Sequence, residues 1–122
     1  MPNLEETIVK DPKTGGQKGT KLARFDLIPP DALWEIAEVY GAGASKHADR
    51  NWEKGYSWGL SVAALERHLN LWKMGKTFDT EGDGPTGCRH MAQVAWHALA
   101  LLAFELRGLG TDDRVNLTTK ST

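Results

Sequence analysis

The sequence predicts an all-α fold, a compact helical bundle of three main helices completed by homo-oligomerisation. Three observations carry that expectation. Apolar residues recur at helical spacing over long stretches, no stretch alternates usefully as a strand would, and proline and glycine fall where helices begin and end. The oligomer follows from the third helix, which is apolar nearly all round, more than a three-helix monomer can cover. No internal repeat is present.

Residues Met1 to Thr20 mix Gly15, Gly16 and Gly19 with Pro2, Pro12, Lys, Asp and Thr, too little apolar surface to fix a fold. They read as a flexible arm with a short extended piece at Thr7 to Lys10. The run from Gly15 to Lys21 has the look of a phosphate loop, but it lacks the Gly-Lys-Ser/Thr ending, a preceding apolar strand and a following helix. Pro29, Pro30 and Asp31 then start the first helix, expected from Asp31 to Tyr40 and ended by Gly41 and Gly43. The second helix is expected from Ser57 to Met74, with Val62, Leu65, Leu69 and Trp72 as its core stripe and Gly75 as its stop. A loop from Lys76 to Thr86 gathers Asp79, Glu81 and Asp83. The third helix is expected from Gly87 to Arg107, closed by Gly108 and Gly110. The organisation is thus an arm over 1–20, a helical domain over 21–108 and a polar tail over 109–122.

Composition narrows the function. The 122 residues carry 15 Lys plus Arg against 16 Asp plus Glu, a net charge of −1, and no basic stripe for a duplex backbone. A duplex nucleic acid is not an expected partner. The single Cys88 excludes an intrachain disulfide framework and a cysteine zinc cage. No apolar run follows Met1, and the stretch from Val94 to Phe104 is too short to span a bilayer, so a cytoplasmic protein with no membrane partner is expected. Five tryptophans are many for so short a helical chain.

Four groups of side chains could carry chemistry. Lys46, His47, Arg50, Asn51, Trp52, Lys54 and Trp58 combine cations for phosphate, an amide for a base or sugar edge and indoles for stacking; equally, the tryptophans could plug the bundle end above a solvated loop. Glu66, Arg67 and His68 sit mid-helix in apolar surroundings, so they reach a cleft, a partner or a metal, or form an interhelical ion-pair set. Asp79, Glu81 and Asp83 precede Arg89, His90, Gln93 and His97, of which the last three share a helix face; oxygen ligands with a nearby imidazole could hold Mg or Mn, while His97 suits a core histidine bonded to a neighbouring carbonyl. Glu35 and Glu38, three apart, present two carboxylates that could help hold a divalent cation or simply face solvent.

Lys21-Leu-Ala-Arg-Phe-Asp-Leu-Ile-Pro-Pro30, Gly43-Ala-Ser-Lys-His-Ala-Asp-Arg-Asn-Trp-Glu-Lys-Gly55, Arg67-His68 and the stretch from Gly75 to His90 together resemble the dATP/dGTP diphosphohydrolase N-terminal domain family, common in phages and prophages. The resemblance covers about Lys21 to Leu106, and the Pro-Pro element and Lys-x-x-x-Arg-Asn-Trp are its most specific parts. It implies hydrolysis of purine deoxynucleoside triphosphates and, by analogy with MazG-like all-α pyrophosphohydrolases, cleavage between the α and β phosphates with Mg or Mn. Lys46, Arg50, Asn51, Trp52, Arg67 and His68 would bind the nucleotide. Asp79, Glu81 and His90 match the family's second half; the mechanism expected from these residues has Glu35, Glu38, Asp79 and Glu81 as metal ligands and His90 and Glu81 as catalytic. His47 stands where the family usually has tyrosine, and Gln93 where a second histidine often follows His90. The competing expectation is a non-catalytic phage protein that sequesters a host signalling nucleotide; a phage-encoded chain would work in the host cytoplasm.

Overall fold

The computed structural model describes residues 6–117. Residues 1–5 of the expected arm and 118–122 of the expected tail lie outside them. The chain divides into two units, Met1–Pro30 and Asp31–Thr122.

In the first unit, β1 (Thr7–Lys10) pairs antiparallel with β2 (Gln17–Thr20), in register from Thr7↔Thr20 to Lys10↔Gln17. This hairpin is an addition to the expected fold, since only the first of its strands was legible as extended chain. Its turn is built by Asp11, whose Oδ1 accepts the amides of Lys13 and Thr14 at 2.8 and 2.9 Å, the Asx geometry that lets a short polar side chain replace backbone bonding. Gly15 supplies the positive φ of 77° that closes it. Phe25–Leu27 form one 3₁₀ turn.

The second unit is helical. The first helix, α1, spans Pro30–Lys46, six residues past its expected end. Gly41 and Gly43 lie inside it, with Ala42 between them and Ala44 after, and an interior glycine costs only about 1 kcal/mol relative to alanine. After a 3₁₀ turn over Asn51–Lys54, α2 spans Trp58–Lys73, close to expectation. It stops at Gly75, whose φ of 89° allows the Lys76 amide to return to the Leu71 carbonyl at 3.1 Å. The third helix, α3, spans His90–Arg107, starting three residues later than expected because Asp79 and Cys88 bond to each other as a loop ladder, with the Asp79 amide on the Cys88 carbonyl at 2.9 Å.

Helices α2 and α3 make the principal packed pair, and their shared core is small and partly polar. Ala100 and Phe104 are fully buried on α3, with Ala92 and Gln93, against Trp58, Ser61 and His68 of α2. The expected α2 stripe is rotated: Val62, Leu65 and Leu69 are half-buried and Trp72 is 48% exposed, because the inward positions belong to Ser61 and His68. Residues after Gly108 are not free of the helices. The Trp58 indole N–H donates to the Leu109 carbonyl at 2.8 Å, and Asp113 Oδ1 accepts the Gly59 amide at 2.8 Å, capping α2 from outside its own sequence. No helix among the described residues is long and apolar enough to cross a membrane.

Candidate functional site

The last turns of α1, the middle of α2, the acidic loop and the first half of α3 enclose a cleft of about 770 Å³. Lys46 lies on its wall because α1 continues through Gly43, and Gly43 itself leaves the wall open where any larger residue would project a side chain. Arg67 and His68 enter from α2, Asp79, Glu81 and Asp83 from the loop, and Gln93, Trp96 and His97 from α3. Cations and carboxylates that lie far apart in the sequence thus face one volume.

Asp79 is the organising group of the loop. Its Oδ2 accepts the Thr86 amide at 3.2 Å, the Thr86 hydroxyl at 3.0 Å and the Gln93 amide at 3.2 Å. Burial alone would raise its pKa, but the bonds from Gln93 and Thr86 outweigh burial and hold the carboxyl below its ordinary value. Gln93, standing where the resemblance offers a histidine, therefore has a definite partner. Glu81 accepts an ion pair from Lys76 at 2.7 Å near the cleft edge.

From the cleft wall a row of polar side chains runs into the core. His68 Nδ1 and His90 Nδ1 are 2.9 Å apart, both rings almost fully buried, at 4% and 2% exposure. His90 does not line the cleft as expected of a catalytic group; it sits behind His68, which does. One step along the helix pair, His97 Nδ1 bonds to Ser61 Oγ at 2.9 Å, and Ser61 bonds in turn to the Tyr56 hydroxyl. His97 is half-buried on the cleft wall and pairs with a hydroxyl, where the expectation was a core histidine bonded to a carbonyl. Burial, then the charges of His68 and Arg67, push its pKa down to about 4, and burial, then Arg67 and His90, lower that of His68. Ser61 and Tyr56 were not singled out in the sequence, although Ser61 precedes His68 by the same seven residues that separate His90 from His97.

A second cavity of about 250 Å³ adjoins the first, since His47, Trp96 and His97 line both. Arg50, Asn51 and Trp52 line this smaller one. Arg50 is held in the left-handed region at φ 58°, a conformation costly for a side-chain-bearing residue, and its guanidinium pairs with Glu53 at 3.2 Å. Trp52 packs among Tyr40, Trp96 and Phe104 with centroids 5.9–6.3 Å away, and Arg107 lies over its ring at 5.7 Å. Trp58 is buried beneath the chain that follows α3 and lines neither cavity. Both indoles thus largely serve the bundle end.

The four carboxylates expected to hold metal do not meet. Glu35 accepts Arg89 at 2.7 Å, which lowers its pKa first of all, and its neighbour Glu38 is raised by Glu35; both face a separate cleft of about 280 Å³. Among the described residues no group of three or more His, Cys, Asp or Glu side chains converges as a cation cage. What the main cleft offers is Asp79 and Glu81, a donor set that suits Mg²⁺ only when substrate phosphates complete the shell.

Comparisons with curated proteins and with solved structures find no match. The profile of one family does match, from the hairpin turn through α3 and the segment that caps α2. Over residues 12–114, the chain belongs to the family described as dATP/dGTP diphosphohydrolase, N-terminal.

Proposed function

We propose that the chain hydrolyses dATP or dGTP to the monophosphate and pyrophosphate in the cleft between α1, α2, α3 and the acidic loop. The observation that carries this is the convergence of Lys46 and Arg67 with Asp79 and Glu81 on one cleft, in a chain of this family. Polyphosphate recognition needs fixed cations, and Arg67 offers a planar fork while Lys46 offers a mobile point charge. Arg50 and Asn51, which line the adjoining cavity, are the residues we assign to the nucleoside side of the same ligand. Trp52 supports that cavity as a wall.

Asp79 and Glu81 are the carboxylates we assign to a divalent ion, Mg or Mn, that arrives with the triphosphate. Such an ion, when bound, neutralises phosphate oxygens and lowers the pKa of a nearby water. The chain's own residues orient the triphosphate, fix its charge and accept the proton released when water attacks. Glu35 and Glu38 do not face this cleft. The exposed apolar faces of α2 and α3 support a homo-oligomer, and a phage-encoded protein of the host cytoplasm is the setting we favour.

The test is release of pyrophosphate from each deoxynucleoside triphosphate with Mg or Mn. Turnover of the purine nucleotides is expected. No turnover of any nucleotide at high protein concentration would overturn the enzyme reading. One observation favours the alternative of a sequestering protein, the lack of a converged ligand cage among the described residues. Calorimetry in EDTA separates the two: tight metal-independent binding without product supports sequestration.

A further inference from the structure

Two imidazole nitrogens can share one hydrogen bond only if one carries a proton and the other does not. That requirement applies to His68 Nδ1 and His90 Nδ1, 2.9 Å apart in the core. The geometry on the far side of His68 decides the direction. Arg67 Nη2, which can only donate, lies 3.4 Å from His68 Nε2. His68 Nε2 is therefore the acceptor, its proton sits on Nδ1, and that proton is donated to His90 Nδ1. His90 in turn carries its own proton on Nε2. The tautomer of each ring is fixed by its neighbour, as in histidines whose second nitrogen is oriented by a hydrogen-bond partner.

We propose that His68 is the proton acceptor of the cleft and that His90 is its positioning residue. His68 lines the cleft, where its Nε2 lone pair takes one long contact from Arg67 at 3.4 Å, whereas His90 is shut behind it. The other basic groups on the wall are less suited. Asp79 has three donors on one oxygen, Glu81 is tied to Lys76, and His97, whose pKa is pushed down to about 4, is a weak base bonded to Ser61. Burial next to Arg67 keeps His68 neutral, so Nε2 carries a lone pair at neutral pH, and a guanidinium drawn from its 3.4 Å contact to a phosphate releases that pair to the attacking water. In the step assigned, a water oxygen forms a bond to the α phosphorus, the bond from that phosphorus to the bridging oxygen breaks, and pyrophosphate leaves with the electron pair. The water proton passes to His68 Nε2 and is later lost to solvent. The imidazolium formed keeps its Nδ1 proton on His90, which holds the ring in line as the lone pair is used.

This rests on the hydrolytic reading above, and the experiment separates the two. The tautomers are read on the full wild-type chain by ¹⁵N-detected imidazole spectra at neutral pH. A proton on Nδ1 of His68 and on Nε2 of His90 is expected; the reverse overturns the proposal whether or not variants fold. Kinetics supply the second arm. His68→Asn keeps a donor toward His90 but removes the Nε2 base, and kcat is expected to fall about 100-fold or more with KM little changed. His90→Leu should lower kcat, and His90→Asn, which restores an acceptor near the Nδ1 position, should recover most of it. Wild-type turnover with an unimpaired His68→Asn variant overturns this inference and leaves the hydrolytic reading standing; an inactive wild-type chain overturns both. Recovery equal in His90→Leu and His90→Asn would make His90 structural only and overturn its positioning role.

Discussion

Ser61 Oγ stands 2.9 Å from His97 Nδ1, and the two residues lie two helical turns from a second polar contact, His68 with His90. On α2 the serine comes seven residues before its histidine, and on α3 the partners follow in the opposite order at the same spacing. These are two rungs of one antiparallel helix pair, one between the buried His68 and His90 and one between the buried Ser61 and the half-buried His97. Buried polar groups without partners cost more than their bonds contribute, so the rungs disfavour any slipped register of α2 on α3. Replacing Ser61 by Ala leaves the Tyr56 hydroxyl and His97 without this partner. A loss of about 1–3 kcal/mol is expected in urea denaturation; an unchanged midpoint would show that the rung contributes nothing.

The same rungs give the fold a dependence on acid. His97 is held neutral down to about pH 4, from an ordinary value of 6.5, chiefly by burial, and His68 is lowered for the same leading reason. Between these limits the unfolded chain binds protons that the folded chain does not. Stability from these residues is therefore fully present above pH 6.5, is lost as pH falls toward 4, and levels off below that. Urea midpoints measured from pH 8 to pH 4 should fall across this window, and His97→Gln should flatten the slope. A midpoint independent of pH in the wild-type chain contradicts the assignment.

Gly110 fixes the segment that closes over α2. Its φ is 72°, and a Cβ there would lie 2.3 Å from the Tyr56 carbonyl oxygen, a backbone atom that cannot swing aside. Gly110→Ala must therefore displace the chain that carries the Leu109 acceptor of Trp58 and the Asp113 cap of α2. Left-handed geometry alone costs a residue with a Cβ about 1–2 kcal/mol, and the lost contacts add to it. A melting temperature lowered by several degrees is expected, with Trp58 fluorescence shifted toward that of an exposed indole. An unshifted Trp58 spectrum would sink the account.

The helices were legible because their signals are local: Pro30 with Asp31, Gly75, and Arg107 followed by Gly108 mark ends by backbone rules that need no tertiary context. The first helix ran on because the penalty for Gly41 and Gly43 is small beside the gain from continuing. The inward face of α2 departs from the expected stripe for a different reason. A hydrophobic stripe assumes that the apolar side is the buried side, and here Ser61 and His68 turn inward because α3 offers each a partner. That information is carried by α3, not by α2. Likewise Lys46, Arg67 and Asp79 were legible as chemistry-bearing residues, but their shared cleft depends on how far α1 extends and how the loop folds on Gln93. The split of the carboxylates is a matter of direction: Glu35 turns to Arg89, and nothing in their spacing from Asp79 and Glu81 reveals it.

That split gives a contrast testable without turnover. Asp79→Asn removes charge from the cleft that Lys46 and Arg67 also line and should weaken Mn²⁺ uptake by the nucleotide complex in calorimetry, on the order of 10-fold. Glu35→Gln breaks an exposed pair with Arg89, worth less than about 1 kcal/mol, and should leave Mn²⁺ uptake at the wild-type level. Equal losses in both variants would bring the two clefts into one site and contradict the division described.

Leu99, Leu102 and Leu106 are 41%, 50% and 69% exposed on α3, and Leu60 is 65% exposed at the start of α2. Leu102 and Leu106 are four apart and Leu99 three before, so they form one continuous stripe along the helix. Monomeric proteins seldom leave such contiguous apolar surface in water, and an interface between copies is the economical cover. The chain is expected to sediment as an oligomer. Glutamates at Leu102 and Leu106 place like charges where two copies would meet and should shift the mass to that of one chain, with helix content retained because neither side chain is buried in the pair α2–α3. Wild-type protein that sediments as a monomer across the micromolar range overturns the oligomer, and a doubly substituted chain that stays assembled moves the interface to another face.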